Sequence, residues 1–585
     1  MENRKKPTRR DFLKLAGAAS GSSILAACAP AQSAATAAPA ATAAPAATAA
    51  PAATAAPASG ESTAPAVAPT SAPAVIGQAA TTSLHWRTTD PVSLNPLFST
   101  SGQEQQLERL LFGALLKINH KLEIVPDLAE RWDVSADAKS YTFYLHQDIT
   151  FSDGTPLTAE DVLFTFEKAI DKRSGSYWFG RVKGIDGAAA YAEQQAETVS
   201  GLEVLDEHTF RITLAKPNAA FLTTLADFSG LGILPKHVLQ DVAPDQLRAH
   251  SFSLNPTVSA GAYTFVANEA GQYVELKRND SYFRGPVAIE RMFLKILNAD
   301  IGMAQLESGD VDYTSLAIGE IERMKLNPNL IISSMASPSL QNLAINMTRP
   351  YFQDRRVRQA MWHAIDRQGI VDSIFAGQAK VVNSPIIGPS WMGEPEVNPY
   401  EYDPDKAKAL LKEAGWDPKQ YIELMGKAGG TKEQAAYTPV IQDQLRAIGM
   451  NVGVILADTA VVQERFVKKP DYDMRDNGGG MYGAEPNNGA VYFHSQQHMP
   501  AGPNYSRYGN PELDALIDSG LATSDQTKRK EIYTEVARFI NEEAPTIFLW
   551  VPNSVCAYNR RLQSFKPTSY LDNYLWNAEE WTIAS

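Results

Sequence analysis

The feature that most constrains this chain is a repetitive segment rich in alanine, proline and threonine near its amino terminus. The hexamer ATAAPA recurs four times between Ala35 and Ala58, and Glu61 is the only charged residue within 29–81. Proline inside a helix costs about 3 kcal/mol, so prolines at six-residue spacing prevent the helix that alanine favours. The segment 28–81 therefore predicts a disordered, semi-extended linker. Only residues 82–585 are expected to form a folded body.

The residues before this linker have the pattern of an export signal. Arg9 and Arg10 are adjacent and precede an apolar stretch, which is typical of the twin-arginine route. The stretch is shorter than the roughly 20 residues that cross a bilayer. It ends in the letters LAAC, which resemble a lipoprotein box and place the lipid on the thiol of Cys28. We predict a signal peptide over residues 1–27; the alternative is a plain signal peptide with an incidental cysteine.

Length and composition exclude several classes of protein. A chain of 585 residues exceeds one core of about 150 residues, so two or more domains or lobes are expected. An apolar fraction of 44% excludes a wholly disordered chain, and the net charge of −13 argues against a nucleic-acid partner. Only Cys28 and Cys556 are present, too few for a disulfide framework or a cysteine zinc site. The body lacks a run of 18 apolar residues, so we expect membrane attachment by the lipid anchor only.

Residue periodicity in the body predicts strands that alternate with helices along the chain. Apolar residues at every second position predict strands near 141–145, 210–214 and 452–456. Capping signals predict helices that begin after Thr158, after Asp403 and at Thr438-Pro439. Interleaved strands and helices indicate an α/β or α+β fold.

The search for catalytic or metal-binding motifs gives a negative result. The body has no nucleophile elbow, HExxH, Walker A or dinucleotide-binding motif, so we predict no enzyme, no catalytic residue and no cofactor. His494 and His498 lack a third ligand beside them, and we interpret them as surface or core histidines rather than a metal site. Cys556 lies between the apolar residues Val555 and Ala557, which predicts an inert buried thiol. A cluster of three arginines at 355, 356 and 358 is interpreted as a solvated or ion-paired helix face.

A family resemblance appears in the segment Pro126–Ala169, PDLAERWDVSADAKSYTFYLHQDITFSDGTPLTAEDVLFTFEKA. It closely resembles the signature of the family 5 extracytoplasmic solute-binding proteins, which serve ABC importers for peptides, nickel and oligosaccharides. Further matches follow in the expected order and extend the resemblance over nearly all of residues 84–585. They are LGILPKHVL (231–239), SAGAYTF (259–265), LESGDVDY (306–313), NLAIN (342–346), FQDRRVRQAMWHAIDRQGIV (352–371), YDPDKAKALLKEAGW (402–416) and IQDQLRAIG (441–449).

The resemblance implies a fold and a mode of action. The fold would be an α/β two-lobed periplasmic-binding-protein clamshell of type II, with the extra subdomain of the peptide-binding cluster. Lobe I would comprise residues 82–299 and 547–585, with the extra subdomain at about 116–220, and lobe II would comprise residues 300–546. A solute bound between the lobes would favour the closed form, which the transporter recognises.

The nature of the solute stays open between three classes. In the peptide-binding branch, a segment resembling Gly-Trp-x-Ala-Asp-Tyr-x-x-Pro places an aspartate on the free amine of the peptide. The corresponding stretch here is Gly480–Pro486, where the aspartate position falls on Tyr482 and Glu485 is the only nearby acid. Peptide is expected first, from family frequency alone. An oligosaccharide or other organic solute, on which Tyr482 would stack, is the alternative, and a nickel complex is the third class.

The resemblance also implies contact residues. Three of them match the first cleft loop of the family, one ends the NLAIN strand, one lies in the loop after SPIIGPS, and one lies in the variable pocket segment. About half are expected to touch the solute, the others being structural. The predicted ligand-binding residues are Ser99, Thr100, Ser101, Asn346, Trp391 and Tyr482.

The resulting expectation is a lipid-anchored, extracytoplasmic substrate-binding protein. It would be a monomer, held at the membrane in the periplasm or at the cell surface, and would deliver a peptide or oligosaccharide to ABC permease subunits. The alternatives from other classes are an extracytoplasmic hydrolase of peptides or glycans and a sensor that reports ligand to a partner.

Overall fold

The computed structural model describes residues 82–99, 101–227, 230–337, 339–387, 391–479, 483–568 and 574–584. Five residues with predicted roles, Arg9, Arg10, Cys28, Thr100 and Tyr482, lie outside these ranges. Among the described residues, no helix is both long enough and apolar enough to cross a membrane.

Strands and helices interleave along the described chain, as the periodicity predicts. The strands are β1 Ser83–Thr88, β2 Leu116–Ile118, β3 Ile124–Pro126, β4 Ala129–Val134, β5 Ser140–Leu145, β6 Leu202–Asp206, β7 Thr209–Thr213, β8 Tyr263–Glu269, β9 Tyr273–Arg278, β10 Arg291–Ile296, β11 Tyr313–Leu316, β12 Leu330–Ala336, β13 Leu340–Ile345, β14 Ala379–Val381, β15 Tyr421–Lys427, β16 Asn451–Ala457, β17 Met474–Gly479, β18 Thr546–Asn559, β19 Leu562–Gln563 and β20 Thr582–Ile583. The helices are α1 Gly102–Leu111, α2 Ala159–Ile170, α3 Phe179–Val182, α4 Ala188–Ala192, α5 Phe221–Ala226, α6 Lys236–Leu239, α7 Ala299–Ser308, α8 Ile321–Met324, α9 Arg355–Ala364, α10 Arg367–Ile374, α11 Pro404–Glu413, α12 Lys432–Ala447, α13 Thr459–Val462, α14 Asn487–Ala490, α15 Pro511–Ala522 and α16 Gln526–Glu543.

Two of the three predicted helix starts are confirmed and one is wrong. Thr158 and Asp161 form the capping box of α2, and Asp403 caps α11. The helix predicted to begin at Thr438-Pro439 instead begins at Lys432, because Thr431 caps it by accepting a hydrogen bond from the backbone of Gln434.

The largest sheet of the described chain runs through both halves of the sequence. It has twelve strands, ten of them in the order β16-β15-β17-β13-β18-β11-β1-β10-β9-β8, while β12 and β14 also pair with β18. A separate sheet of four strands, β4-β5-β7-β6, lies within residues 129–213 and is covered by α2. The rings of Phe166 on α2 and Phe210 on β7 lie 5.9 Å apart across that contact.

Buried apolar residues form three clusters, which β18 connects. The first cluster draws mainly on residues 84–313 and 556–581, the second on residues 340–551, and the third on residues 306–330 with Val555 and Ala557. Because side chains alternate along a strand, Cys556 faces the first cluster while its two neighbours face the third. The predicted lobe bounds stay a prediction. Along the described chain, the buried residues pass from the third cluster to the second between β12 and β13, and from the second to the first and third within β18.

The arginine cluster on α9 divides into surface and buried members. Arg355 pairs with Glu542 and Arg356 with Asp354, both as exposed ion pairs, in agreement with the predicted ion-paired face. Arg358 is also ion-paired, with Glu543 at 3.5 Å. Its side chain is buried rather than solvated, and it donates to backbone carbonyls before α9 and at the end of α16.

We expect Arg358→Met to lower the free energy of unfolding by about 3 kcal/mol or more, because several buried carbonyl groups lose their donor. Arg356→Met on the same helix is the matched control and should change it by no more than about 0.5 kcal/mol. Urea unfolding of both variants measures the difference. Equal effects of the two substitutions would contradict a structural role of the buried guanidinium.

Candidate ligand-binding cleft

A cleft opens where β18 passes from the second cluster to the other two. Its volume is about 480 Å³, and its walls come from residues 316–318 at the end of β11, the start of β13, the first two turns of α12 and residues 550–553 of β18. Ser337 donates its backbone N–H to the carbonyl of Pro552 at 2.9 Å, which ties the connection between β12 and β13 to the middle of β18. The cleft therefore lies where the chain crosses between its clusters.

Three aromatic side chains form one side of this cleft. The ring of Trp550 lies 5.3 Å from that of Phe375 and 5.0 Å from that of Tyr437. Trp550 is fully buried, and its indole N–H has no hydrogen-bond partner among the described residues. All three rings are buried, so they form the apolar base beneath the cleft.

The polar part of the cleft wall consists of uncharged amide and hydroxyl side chains, with one basic and one acidic side chain beside them. Ser339, Gln341, Gln434 and Asn553 line the cleft, together with Lys432 and Glu433 of the first turn of α12. A cleft with aromatic faces and a few polar groups is typical of small-molecule and peptide sites.

Asp476 on β17 lies directly behind this wall. Its carboxylate accepts hydrogen bonds from Gln341 Nε2 at 2.9 Å, Gln434 Nε2 at 2.9 Å, Tyr437 Oη at 3.0 Å and Thr438 Oγ1 at 3.1 Å. Burial raises the pKa of Asp476 above its usual range, and the four donors offset this only in part. Three of the four donors belong to cleft-lining residues.

The described part of the predicted pocket segment, residues 483–486, connects the clusters. Ala484 packs in the first cluster, although its sequence neighbours belong to the second half of the chain. Glu485 is buried and forms an ion pair with Arg529 of α16. The guanidinium of Arg529 lies 5.7 Å from the ring of Trp391, so the structure brings this predicted residue near the pocket segment. Glu485 is therefore already paired and is not a free acid for a ligand amine.

The predicted serines stand at the start of α1. Ser99 is buried and donates its hydroxyl to Glu108 Oε2 at 2.8 Å. Ser101 is the N-cap of α1 and forms a capping box with Glu104. The side chains of both serines are thus engaged within the protein, and their contact with a solute stays a prediction.

Asn346 follows β13 and is fully buried. Its Nδ2 donates to the carbonyls of Pro470 at 2.9 Å and Tyr472 at 2.7 Å, and its Oδ1 accepts from the backbone and hydroxyl of Thr348. These bonds join the end of β13 to the segment that leads into β17. The contact of Asn346 with a solute stays a prediction.

Sequence reasoning did not single out Gln341, Tyr437 or Trp550. Gln341 directly precedes the NLAIN motif, and a polar residue at the start of a buried strand was the available signal. Tyr437 and Trp550 lie on apolar faces of α12 and β18, where periodicity alone indicates core. Only the pairing of β18 with both parts of the chain places them at a cleft.

The histidine pair does not share a helix face. His494 lies beside Asp514 and Asp518, with closest N–O distances of 3.8 Å and 3.4 Å. His498 is hydrogen-bonded through Nε2 to the carbonyl of Tyr508 at 2.9 Å. Within the described ranges, no group of three or more histidine, cysteine, aspartate or glutamate side chains has the arrangement of a metal site. Burial raises the pKa of the Cys556 thiol to about 12.

Comparisons with known proteins bear directly on this arrangement. The family model described as "Bacterial extracellular solute-binding proteins, family 5 Middle" matches residues 123–500. The oligopeptide-binding protein AppA of Bacillus subtilis is 28% identical over 510 residues, which cover 85% of this chain and 90% of AppA.

Two solved structures have a similar fold. AppA from Bacillus subtilis in complex with a nonapeptide superposes with a TM-score of 0.68 and 26% identity, covering 86% of this chain and 100% of that one. The ABC transporter substrate-binding protein CtaP from Listeria monocytogenes superposes with a TM-score of 0.74 and 24% identity, again covering 86% and 100%. These likenesses confirm the predicted mixed α/β, periplasmic-binding-protein fold.

The buried Glu108 generates a prediction about stability and pH. Its Oε1 has no hydrogen-bond partner among the described residues, and burial raises the pKa of Glu108 well above its usual range. A carboxyl group whose folded pKa is raised stabilises the fold below its unfolded pKa, and that stabilisation is lost as pH rises through the folded pKa.

We therefore expect Glu108→Gln to raise the free energy of unfolding at pH 8 by about 1–3 kcal/mol and to give little gain at pH 4. Thermal unfolding at both pH values measures the difference, with the exposed Glu130→Gln as control. A gain of equal size at both pH values would show that the charge of Glu108 is not its cause.

Proposed function

Because this chain belongs to family 5 of the bacterial extracellular solute-binding proteins, we propose that its cleft captures a peptide for delivery to an ABC importer. The protein is an extracytoplasmic substrate-binding protein of an ABC transporter and not an enzyme. The identity of the solute, the closing of the cleft and the membrane anchor are the proposed parts.

The observation that carries the proposal is the composition of the cleft walls. A peptide backbone carries N–H donors, and the side-chain amides of Gln341, Gln434 and Asn553 offer carbonyl oxygens to them, since their NH₂ groups donate to other groups of the protein. The buried aromatic group of Phe375, Tyr437 and Trp550 forms the apolar base beneath these amides. The similarity to AppA supports peptide further, since AppA binds oligopeptides.

The position of the cleft suits capture by closure. Its walls come from segments on both sides of the points where the chain changes cluster. A solute that contacts both sides favours the arrangement in which those contacts coexist. The permease would then recognise the closed form.

None of the described predicted contact residues lines this cleft. Among the predicted set, we propose Trp391 and Tyr482 first. Trp391 is half-buried beside the pocket segment, and Tyr482 belongs to that segment. Thr100 stays in the set as a neighbour of the first cleft loop. The side chains of Ser99, Ser101 and Asn346 are hydrogen-bonded within the protein, so any contact of these three residues with the solute would come through their backbones.

An oligosaccharide is the second candidate, favoured by the half-buried ring of Trp391 and by Tyr482 in the pocket segment. Sugars stack on exposed aromatic faces through their C–H surfaces, and the amides would bond their hydroxyl groups. The two candidates differ in whether a free amine or backbone N–H is needed for binding.

The first test measures thermal unfolding of the purified chain against peptides of two to nine residues, oligosaccharides and nickel chelates. A ligand at 100 times its dissociation constant should add about 2.7 kcal/mol to the free energy of unfolding. We expect peptides to raise Tm and Gln341→Ala to remove most of that rise. Gln368→Ala, an exposed glutamine on α10, is the matched control.

A rise with oligosaccharides alone would contradict the peptide assignment and favour the second candidate. A rise with peptides that survives in Gln341→Ala would place the peptide elsewhere than in this cleft.

We also propose that export follows the twin-arginine route through Arg9 and Arg10, and that Cys28 carries the lipid anchor. One acyl chain binds a membrane only marginally, whereas two chains hold stably. We expect Cys28→Ser to release the protein from the membrane fraction, while Cys556→Ala leaves it there. Fractionation of the producing cells with immunodetection measures the partition, and retention of Cys28→Ser in the membrane would contradict the anchor.

A further inference from the structure

A buried carboxylate without a cation stands behind the amide wall of the cleft. Asp476 is 2% exposed, and no ion pair to it is found among the described residues. Its contacts are the four side-chain hydrogen bonds from Gln341, Gln434, Tyr437 and Thr438. The two amides and Tyr437 donate to the carboxylate, whereas the single proton of the Thr438 hydroxyl is shared between Asp476 and the nearer carbonyl of Gln434 at 2.8 Å.

The carboxylate determines which way both glutamine amides face. An ionised carboxylate only accepts hydrogen bonds, so Gln341 and Gln434 must turn their NH₂ groups toward it. The carbonyl oxygens of the two amides are then directed away from Asp476. Gln341 Oε1 lies against Gly478 and Gln434 Oε1 against Gly430, where glycine leaves room for them. Both side chains line the cleft, so its wall presents acceptors rather than an adaptable mixture of donors and acceptors.

The charge of Asp476 acts in the same direction. Lys432 and Glu433 at the edge of the cleft are of opposite sign and largely offset each other. The amino terminus of α12 contributes about half a positive unit charge, which is less than the full charge of the carboxylate. The neighbouring guanidinium of Arg475 offsets part of this charge, and the carboxylate and the amide oxygens together favour a donor or cation over an anion.

We propose that Asp476 is a positioning residue that, by orienting Gln341 and Gln434, makes this wall of the cleft select solutes with N–H donors and cationic groups. The inference rests on the proposed function of the cleft as the solute site. It adds the chemical class that this wall accepts, a cationic or N–H-rich solute in preference to an anionic one.

The test compares matched solutes that differ in the charge of their side groups. The peptides are Ala-Ala-Lys-Ala and Ala-Ala-Glu-Ala, and the sugars are the glucosamine trimer and cellotriose, which carry an amine or a hydroxyl at the same ring position. Titration calorimetry with the purified chain should give dissociation constants about tenfold lower for the cationic member of a pair that binds. In Asp476→Asn, whose amide both donates and accepts, the ratio should fall below about threefold, since the glutamines are free to turn.

The ratio of the two constants separates selection from a structural role. A residue that only supports the fold would weaken both members of a pair equally when it is replaced. Thr438→Val is the matched control, because it removes one donor to Asp476 and leaves both glutamine bonds; the ratio should stay at its original value. Gln434→Leu is the second variant, should Asp476→Asn fail to fold, and it should lower the ratio by removing one acceptor.

The outcomes distinguish the two proposals. Binding of both peptides with equal affinity, or an unchanged ratio in Asp476→Asn and Gln434→Leu, overturns the inference and leaves the peptide function standing. Binding of the glucosamine trimer but of neither peptide overturns the peptide function, and the change of the sugar ratio in the variants then decides the inference. Binding of neither cationic solute overturns the inference.

Discussion

The continuous pairing of β18 is the constraint on which the remaining structure depends. Its first residues pair with β13, its middle with β14, and its last residues with β11 and β12. Pro552 stands where the partners change, a point at which a residue without a backbone N–H is tolerated. Because one strand of 14 residues takes part in all three apolar clusters, those clusters cannot be separated without breaking its ladder. The cleft is placed at this crossing by the same pairing.

Buried charged groups hold the surrounding segments in position. Arg358 gathers backbone carbonyls at the ends of α9 and α16, and the ion pair of Glu485 and Arg529 joins the pocket segment to α16. Burying a charge is costly unless it is hydrogen-bonded, so each such group demands a defined set of partners around it. That demand explains why Asp476 specifies its neighbours more strictly than an apolar residue of the same size would. The arrangement trades some stability for a single orientation of the wall beside the cleft.

Much of the local structure was predictable because it depends on neighbours in sequence. The alternation at Tyr141–Leu145, the capping box of α2 and the Asp403 cap of α11 involve residues a few positions apart, and they form as predicted. The prediction for the start of α12 is wrong because the sequence offers two possible N-caps. Thr438-Pro439 has the pattern of a helix start, yet Thr431 is the N-cap and Pro439 lies inside the helix. Ser101 illustrates a second difficulty, since a capping serine and a ligand-binding serine have the same sequence signal.

The sequence by itself determined the mixed α/β class and the family resemblance, since these rest on periodicity and ordered motifs. Only the tertiary structure decided that Gln341, Tyr437, Trp550 and Asp476 meet at one cleft, since they come from strands and a helix up to 200 residues apart in sequence (roughly, from β13 to β18). The physical reason is that burial and hydrogen bonding at a long-range contact depend on both partners at once. Neither partner alone carries a sequence signal for the other.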